Sequence, residues 1–573
     1  MLPQAAERLD ASAEIAPDEV RVRVERLTWT RRPSGNCRSR TVATPVTPGS
    51  LSTWSGPIPA CGCCSTPGWP QTDPMGTTLY RGRVYAPGDP TALLVRDGEI
   101  AWVGAAADAG AADRTVDAGD RLITPAFVDA HVHATSTGLA LLGLDLTDTA
   151  SLTDALDRVE RATRAAGGRP VLGHGWDETR WPERRPPTSA ELDRASYGSV
   201  VYLSRVDVHS AVVSSALLVA VPEARGLAGW ADSGHLTRDA HHAARRAARD
   251  TMTPRQRRDF QRATLTRAAQ LGIGAVHELA GPDLSGTDDL LDLLALAREE
   301  PAPSVYAYWG EPGPSGVDTA RELGALGAAG DLFADGSIGS HTACFTESYV
   351  DAPGEHGHAY LSSEQIRDHV ALCTRAGLQA GFHAIGDAAV AAVAAGMAAA
   401  AEEVGEAVFR SAGHRVEHLE LVPEQAAATL GRLGVVASVQ PAFDALWGGE
   451  HGLYTDRLGV QRSLASNPFA RLAAAGMPLA FGSDAPVTPL APWEGVRAAV
   501  RHHAPESRVD TATAFAAHTA GGWAAAHRPG GTLTPGAPAY LAVWDTAEFP
   551  DLTAPPPRCL RTVASGRTIW EVS

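Results

Sequence analysis

Lysine is missing from the chain: all 49 basic residues among its 573 positions are arginine. That excludes Schiff-base chemistry, a P-loop and a carbamylated-lysine metal bridge before any motif is considered. Cysteine is scarce. Four of the seven (Cys37, Cys61, Cys63 and Cys64) lie in the first 64 residues, and Cys344, Cys373 and Cys559 are far apart in sequence. This is no disulfide framework, and the tight Cys61, Cys63, Cys64 group lacks the spaced second pair of a zinc knuckle. No window offers the roughly 18 consecutive apolar residues of a membrane span, and the first 25 residues are too acidic for a signal peptide. The expectation is a soluble, cytoplasmic protein with no membrane partner. Positive charge is in deficit, 49 basic against 66 acidic residues for a net charge of -17. An acidic surface repels phosphate backbones, so no nucleic-acid partner is expected.

Glycine and proline, by contrast, are abundant, at 57 and 40 residues, as expected of a chain with many turns. Residues 1–74 are rich in Pro, Ser, Thr and Arg and show no periodicity. They read either as a disordered tail or as an extension outside the functional protein. From Met75 the pattern changes to alternating strands, "TTLYRGRVY" and "ALLVRDGEIAWVG", with a turn every few residues up to about Thr124. The last 45 residues repeat that texture in "AYLAVWD" and "RTVASGRTIWEV". Each end alone is too short for a core, so residues 75–124 and 529–573 are expected to close one composite β-sandwich. Between them, in 125–528, apolar runs alternate with Ala-rich helical stretches. Eight such runs are found: 126–133, 272–279, 304–309, 331–336, 379–387, 414–421, 435–441 and 478–484. Eight is the barrel number, so the expected fold class is α/β, a (β/α)8 TIM barrel with a small β-sandwich domain. The interval from about 150 to 262 does not fit the repeat and reads as an insertion over the barrel mouth.

Four of the eight runs end in or carry metal-ligating side chains: His131 and His133, His383, His418, and Asp484. Strand ends of a barrel converge on one face, so these residues would share a cavity. His131 and His133 are two apart and project the same way, which lets both bind one ion. Each feature alone is weak; their joint occurrence, in order and at strand ends, is a strong signal. In the insertion, Trp176, Asp177, Arg205 and His209 are candidates for substrate contact: Arg for a carboxylate or carbonyl, Trp for an apolar substituent. His277 and Glu278 are adjacent and point opposite ways, so only one lines the cavity, with Glu278 the choice. The pairs His241–His242 and His502–His503 lie in helical stretches and read as solvated faces.

"TPAFVDAHVH", "GFHAIGDAAV", "HRVEHLEL" and "FGSDAPV" resemble the metal-binding strands of the amidohydrolase superfamily. "GHGWDETRWP", "RVDVHSA" and "ADGSIGSHTACF" resemble its branch of N-substituted formamide deformylases and their uncharacterised relatives, amidohydrolase family 3. The resemblance spans about residues 76–573. It implies that His131, His133, His383, His418 and Asp484 hold a divalent metal, zinc being the choice. It further implies that metal-activated hydroxide cleaves a non-peptide carbon–nitrogen bond of a small amide such as an N-substituted formamide. Asp484 would be the general base and acid, and His418 a ligand or the group that polarises the substrate. Alternatives are a deaminase or cyclic amide hydrolase, and, outside enzymes, a degenerate barrel that only binds a small molecule. A homo-oligomer remains open.

One departure matters. Family members with two ions carry a carbamylated lysine at the end of the fourth strand, where this chain has Asp331. Its single methylene is expected to be too short to bridge, which favours one ion over two and leaves Asp331 to orient His383 or His418. If two ions bind, another carboxylate is expected to bridge them, Glu278 among the candidates.

Overall fold

The computed structural model describes residues 76–572. The Pro-rich stretch up to residue 74 and the Cys61–Cys64 cluster lie outside it. Eight parallel strands run in barrel order: Phe127–Val132, Ile273–Ala280, Ser304–Trp309, Gly327–Ala328, Gln379–Ala384, Arg415–His418, Val436–Val439 and Leu479–Phe481. Just past the eighth strand, the Asp484 N–H donates to the His131 carbonyl (2.8 Å) and the His133 N–H to the Ala485 carbonyl (3.0 Å). These bonds tie the last strand's end to the first and bring the barrel close to closure. Most strands are buried along their whole length, which is why they read as continuous apolar runs.

The helices around the barrel show clear local causes. Ser363–Ala376 opens on a reciprocal cap between Ser362 and Gln365 and ends at Gly377, which supplies the left-handed turn. Asp387–Val404 is largely alanine, the best helix former, and buries Val390, Val393, Met397 and Ala400 along one stripe. Among the described residues no single helix is long and apolar enough to cross a membrane.

One barrel strand lies elsewhere than expected. The run 331–336 is not the fourth strand; that strand is the short Gly327–Ala328. Gly330 takes a left-handed φ of 94°, a conformation no strand accepts, and turns the chain across the barrel mouth. Residues 331–336 then lie beside the fifth strand's end, where the His383 N–H donates to the Leu332 carbonyl (3.0 Å) and the Ala334 N–H to the His383 carbonyl (2.9 Å). Asp331 is thereby carried over the mouth.

Strands from both ends of the chain share one mixed sheet of seven strands. Leu541–Trp544 pairs antiparallel with Arg114–Pro125 on one side and with Cys559–Ala564 on the other. Pairing is unbroken across the seven, where two stacked sheets were expected. Tyr80, Leu93, Ile123, Leu541 and Val543 form its core. Between the first and second barrel strands lies a separate five-stranded sheet, from Leu144–Asp145 to His235–Thr237. The helix Arg238–Asp250 follows it, and here His241 and His242 are buried rather than solvated, as is His502 further on. Histidine can be buried as the neutral ring, and hydropathy does not register this.

Candidate metal centre

His131, His133, Asp331 and Asp484 bring ligand atoms together at the barrel mouth, and Asp331, His383 and His418 form a second group beside them. Asp331 belongs to both through different oxygens. Its Oδ2 lies 3.5 Å from His131 Nε2 and 3.0 Å from His133 Nε2. Its Oδ1 lies 3.6 Å from both His383 Nδ1 and His418 Nε2. Asp484 Oδ1 completes the first group, 3.3 Å from His131 Nε2 and 3.2 Å from His133 Nε2. The short side chain expected to fall short of a bridging position therefore reaches one. The turn at Gly330 moves the backbone, not the side chain, to the centre. Glu278, the other bridging candidate, is not in either group. Its Oε2 accepts the Ala134 N–H (2.8 Å), and burial pushes it up to about 7.

Each imidazole is held by the nitrogen that faces away from the centre. His131 Nδ1 pairs with Glu417 Oε2 (3.0 Å), His133 Nδ1 with the Leu279 carbonyl (3.0 Å), and His418 Nδ1 with Gln440 Oε1 (2.8 Å). His383 uses its Nε2, which donates to the Gly336 carbonyl (3.2 Å). An acceptor on one nitrogen fixes the tautomer and leaves the lone pair of the other aimed inward. His131 Nε2, His383 Nδ1, His418 Nε2, Asp331 Oδ1 and Asp484 Oδ1 are all buried and have no hydrogen-bond partner. Five such atoms facing two adjoining points are costly unless something binds there. A mixed set of imidazole nitrogens and carboxylate oxygens suits a divalent transition metal such as zinc. The residues present thus fit a metal centre.

The local backbone is built for this placement. His418 and Asp484 sit at left-handed φ of 73° and 54°, conformations that non-glycine residues adopt at a cost and that cluster at functional sites. A Cβ on Gly482 would lie 2.6 Å from the His131 N atom, so only glycine lets the eighth strand's end approach the first. There Asp129 Oδ1 accepts the Ser483 N–H (2.8 Å). Asp335 lies under His383 and accepts N–H groups from Cys344, Ile385 and Gly386 at 2.8–3.0 Å. Together with the Gly336 carbonyl, it positions the His383 loop.

Beneath His131 lies a buried ion pair that sequence reading missed. Arg415 and Glu417, two apart on one strand, face the same way; Arg415 Nε donates to Glu417 Oε1 (2.5 Å) and its Nη2 to the Ala130 carbonyl (2.7 Å). Burial opposes the charge on Glu417, but Arg415 and His131 hold its carboxyl down to about 2. Two opposite charges at strand period inside an apolar run were the available signal. Arg415→Ala leaves Glu417 buried without its guanidinium partner, with only the His131 ring against it, so it should cost about 3–5 kcal/mol in urea unfolding. A loss below about 1 kcal/mol would mean that the pair is not desolvated.

Two cavities flank the centre. One, with about 390 Å³ of empty space, touches His383, His418 and Asp484, and His209 lines it. The His209 ring lies 5.0 Å from the His383 ring, tilted against it, and burial, then the neighbouring His383, keeps it well below the ordinary histidine range. The other, with about 830 Å³ of empty space open to solvent, touches the centre at His133, and Glu278 lines it nearby. Trp176 and Arg205 do not serve as expected. Trp176 is fully buried, donating to the Leu203 carbonyl (2.9 Å) in the core of the five-stranded sheet. Arg205 lines the smaller cavity, but its guanidinium is fully engaged by Glu178 (2.9 Å), Asp207 (3.0 Å) and Asp177 (3.2 Å). It ties the inserted sheet to the 337–340 loop through Asp207, which accepts the Ser337 and Ser340 hydroxyls (2.8 Å each).

Comparison with known proteins agrees with this geometry. Residues 114–570 match the model of the amidohydrolase family. The chain is 27% identical to the protein LONG AFTER FAR-RED 3 of Arabidopsis thaliana over 504 residues, covering 80% of this chain and 85% of that one. It is 26% identical to the putative amidohydrolase YtcJ of Bacillus subtilis, covering 66% and 72%. A solved structure of an uncharacterized metal-dependent hydrolase from Pyrococcus furiosus shares the fold, with a TM-score of 0.64 and 24% identity, over 82% of this chain and 99% of the other. From the match over most of its length, and from the barrel and ligand set it carries, the chain belongs to the amidohydrolase family.

Proposed function

We propose that this protein is a metal-dependent hydrolase that cleaves a non-peptide carbon–nitrogen bond of a small amide, an N-substituted formamide being the nearest simple example. The observation that carries the reading is the set of five buried, unpartnered ligand atoms converging beside two cavities. His131, His133, Asp331 and Asp484 would hold one divalent cation, and Asp331, His383 and His418 a second, with zinc the proposed metal. When bound, such cations lower the pKa of a coordinated water towards about 7 and polarise the amide carbonyl. Asp484 accepts a proton from the attacking water and passes it to the leaving nitrogen, so amide and water become acid and amine. His418, its ring fixed by Gln440, would hold the metal or polarise the carbonyl. Glu417 and the Leu279 carbonyl keep His131 and His133 in register through the reaction. The two-group geometry of Asp331 favours two ions over the one expected from its side-chain length.

The test is elemental mass spectrometry of the purified full chain after exhaustive dialysis, followed by product analysis on N-substituted formamides. Two divalent ions per chain, with formate and amine released, is the expected result. Ammonia in place of formate would shift the assignment to deamination, and a folded protein that retains no metal would overturn the hydrolase in favour of a binding scaffold.

A further inference from the structure

The larger cavity contains a cation that the protein itself does not neutralise. Arg245, on the helix Arg238–Asp250, lines it together with Tyr202 and Ser285. The protein acceptors of the Arg245 guanidinium are the Val208 carbonyl (2.6 Å) and His241 Nδ1 (3.4 Å). Among the described residues no carboxylate pairs with it. The neighbouring acids are taken: Asp283 pairs with Arg246 and with His242 (3.5 Å), Asp289 accepts the Thr135 hydroxyl (2.8 Å), and Glu278 accepts the Ala134 N–H. Arg249, also in the lining, has Asp250 at 3.6 Å.

The hydroxyl beside Arg245 is oriented by the same group. Guanidinium can only donate, so His241 Nδ1 is an acceptor. Burial, then the Arg245 charge, keeps His241 neutral, well below the ordinary histidine range. Its proton is therefore on Nε2, which lies 2.9 Å from the Tyr202 hydroxyl oxygen and donates to it. The Tyr202 proton has to point elsewhere, and Tyr202 borders the cavity. Ser285 supplies a third donor: its buried hydroxyl has no partner. Leu139, Leu172, Met252 and Leu284 form the apolar part of the same wall.

We infer that this cavity selects an amide carrying a carboxylate, with Arg245 and Tyr202 as the anion-binding pair and the apolar wall taking the substituent between acid and amide. This rests on the hydrolase reading, because it assigns the other end of the same substrate. A half-buried charged guanidinium and a buried phenol hydroxyl match a carboxylate's two oxygens and leave an uncharged analogue with unpaired donors.

The experiment separates the two claims by using binding as well as turnover on the metal-loaded full chain. Calorimetry compares 3-phenylpropionate with 3-phenylpropionamide, and kinetics compare N-formyl-phenylalanine with N-formyl-phenylalaninamide. The carboxylate should bind at least tenfold more tightly than its amide, and Arg245→Gln should abolish that preference. Tyr202→Phe, which removes only an oxygen, should weaken the carboxylate about threefold to tenfold and leave the amide unchanged; it serves if Arg245→Gln does not fold. In turnover, the preference should appear in KM. Equal binding of acid and amide, or an acid preference unchanged in both variants, overturns the inference. Hydrolysis of both formyl substrates without preference would do so while leaving the hydrolase intact. A carboxylate preference lost in the variants, without any turnover, would uphold the binding site and sink the proposed reaction instead.

Discussion

Asp484→Ala should lower kcat by about 10³-fold or more, at the upper end of what loss of a general acid and base costs, since a ligand goes with it. The fold should survive. The Asp484 side chain supports no element of the structure: its Oδ1 has no hydrogen-bond partner, while a bond that ties the eighth strand's end to the first is made by its backbone N–H to His131. Alanine keeps that bond. Circular dichroism and an unfolding curve close to the parent's, together with collapsed turnover, are the expected pair of results. Unchanged turnover would remove Asp484 from the chemistry and the proton route with it.

Asp331→Asn should reduce bound metal from two ions to one or fewer per chain. Asparagine keeps the shape and one carbonyl oxygen, so an orienting hydrogen bond to His383 or His418 survives, but the charge that both ligand groups share is gone. If Asp331 merely oriented a histidine, the loss in activity would stay within the roughly 10–100-fold seen for such supporting groups, and the metal count would hold. A larger loss with metal released identifies a bridging ligand. Elemental analysis of the variant decides between the two without reference to any substrate.

Seven of the eight barrel segments were readable because most strands are buried along their whole length and therefore largely apolar, and because the helices between them are rich in alanine. His131 and His133 stood out through their spacing of two, which only a strand turns into a shared direction. The fourth strand was misplaced: Leu332, Phe333 and Ala334 form a short apolar run like those of the other strands, whereas the short strand Gly327–Ala328 has no β-branched residue to reveal it. The supports of the centre were hidden for another reason. Glu417 and His131 are 286 positions apart, and no local pattern encodes a partner at that distance. Arg205 and Trp176 misled in the opposite sense. Their residue types suit ligand binding, but three carboxylates around the first and a closed core around the second give them structural work.

The seven-stranded sheet receives one of its inner strands late. Leu541–Trp544 sits between Arg114–Pro125 and Cys559–Ala564, yet it is made about 400 residues after the strand it completes. At ordinary rates of protein synthesis, about 5–20 residues per second, the edge of Arg114–Pro125 waits roughly 20–80 s for its neighbour. An open edge invites pairing with another chain during that interval. The polar positions along the first part of this strand, Asp117, Asp120 and Arg121, are the kind of residues that discourage such pairing, and they put the chain's safeguard against misassembly at the start of the domain that its last residues finish.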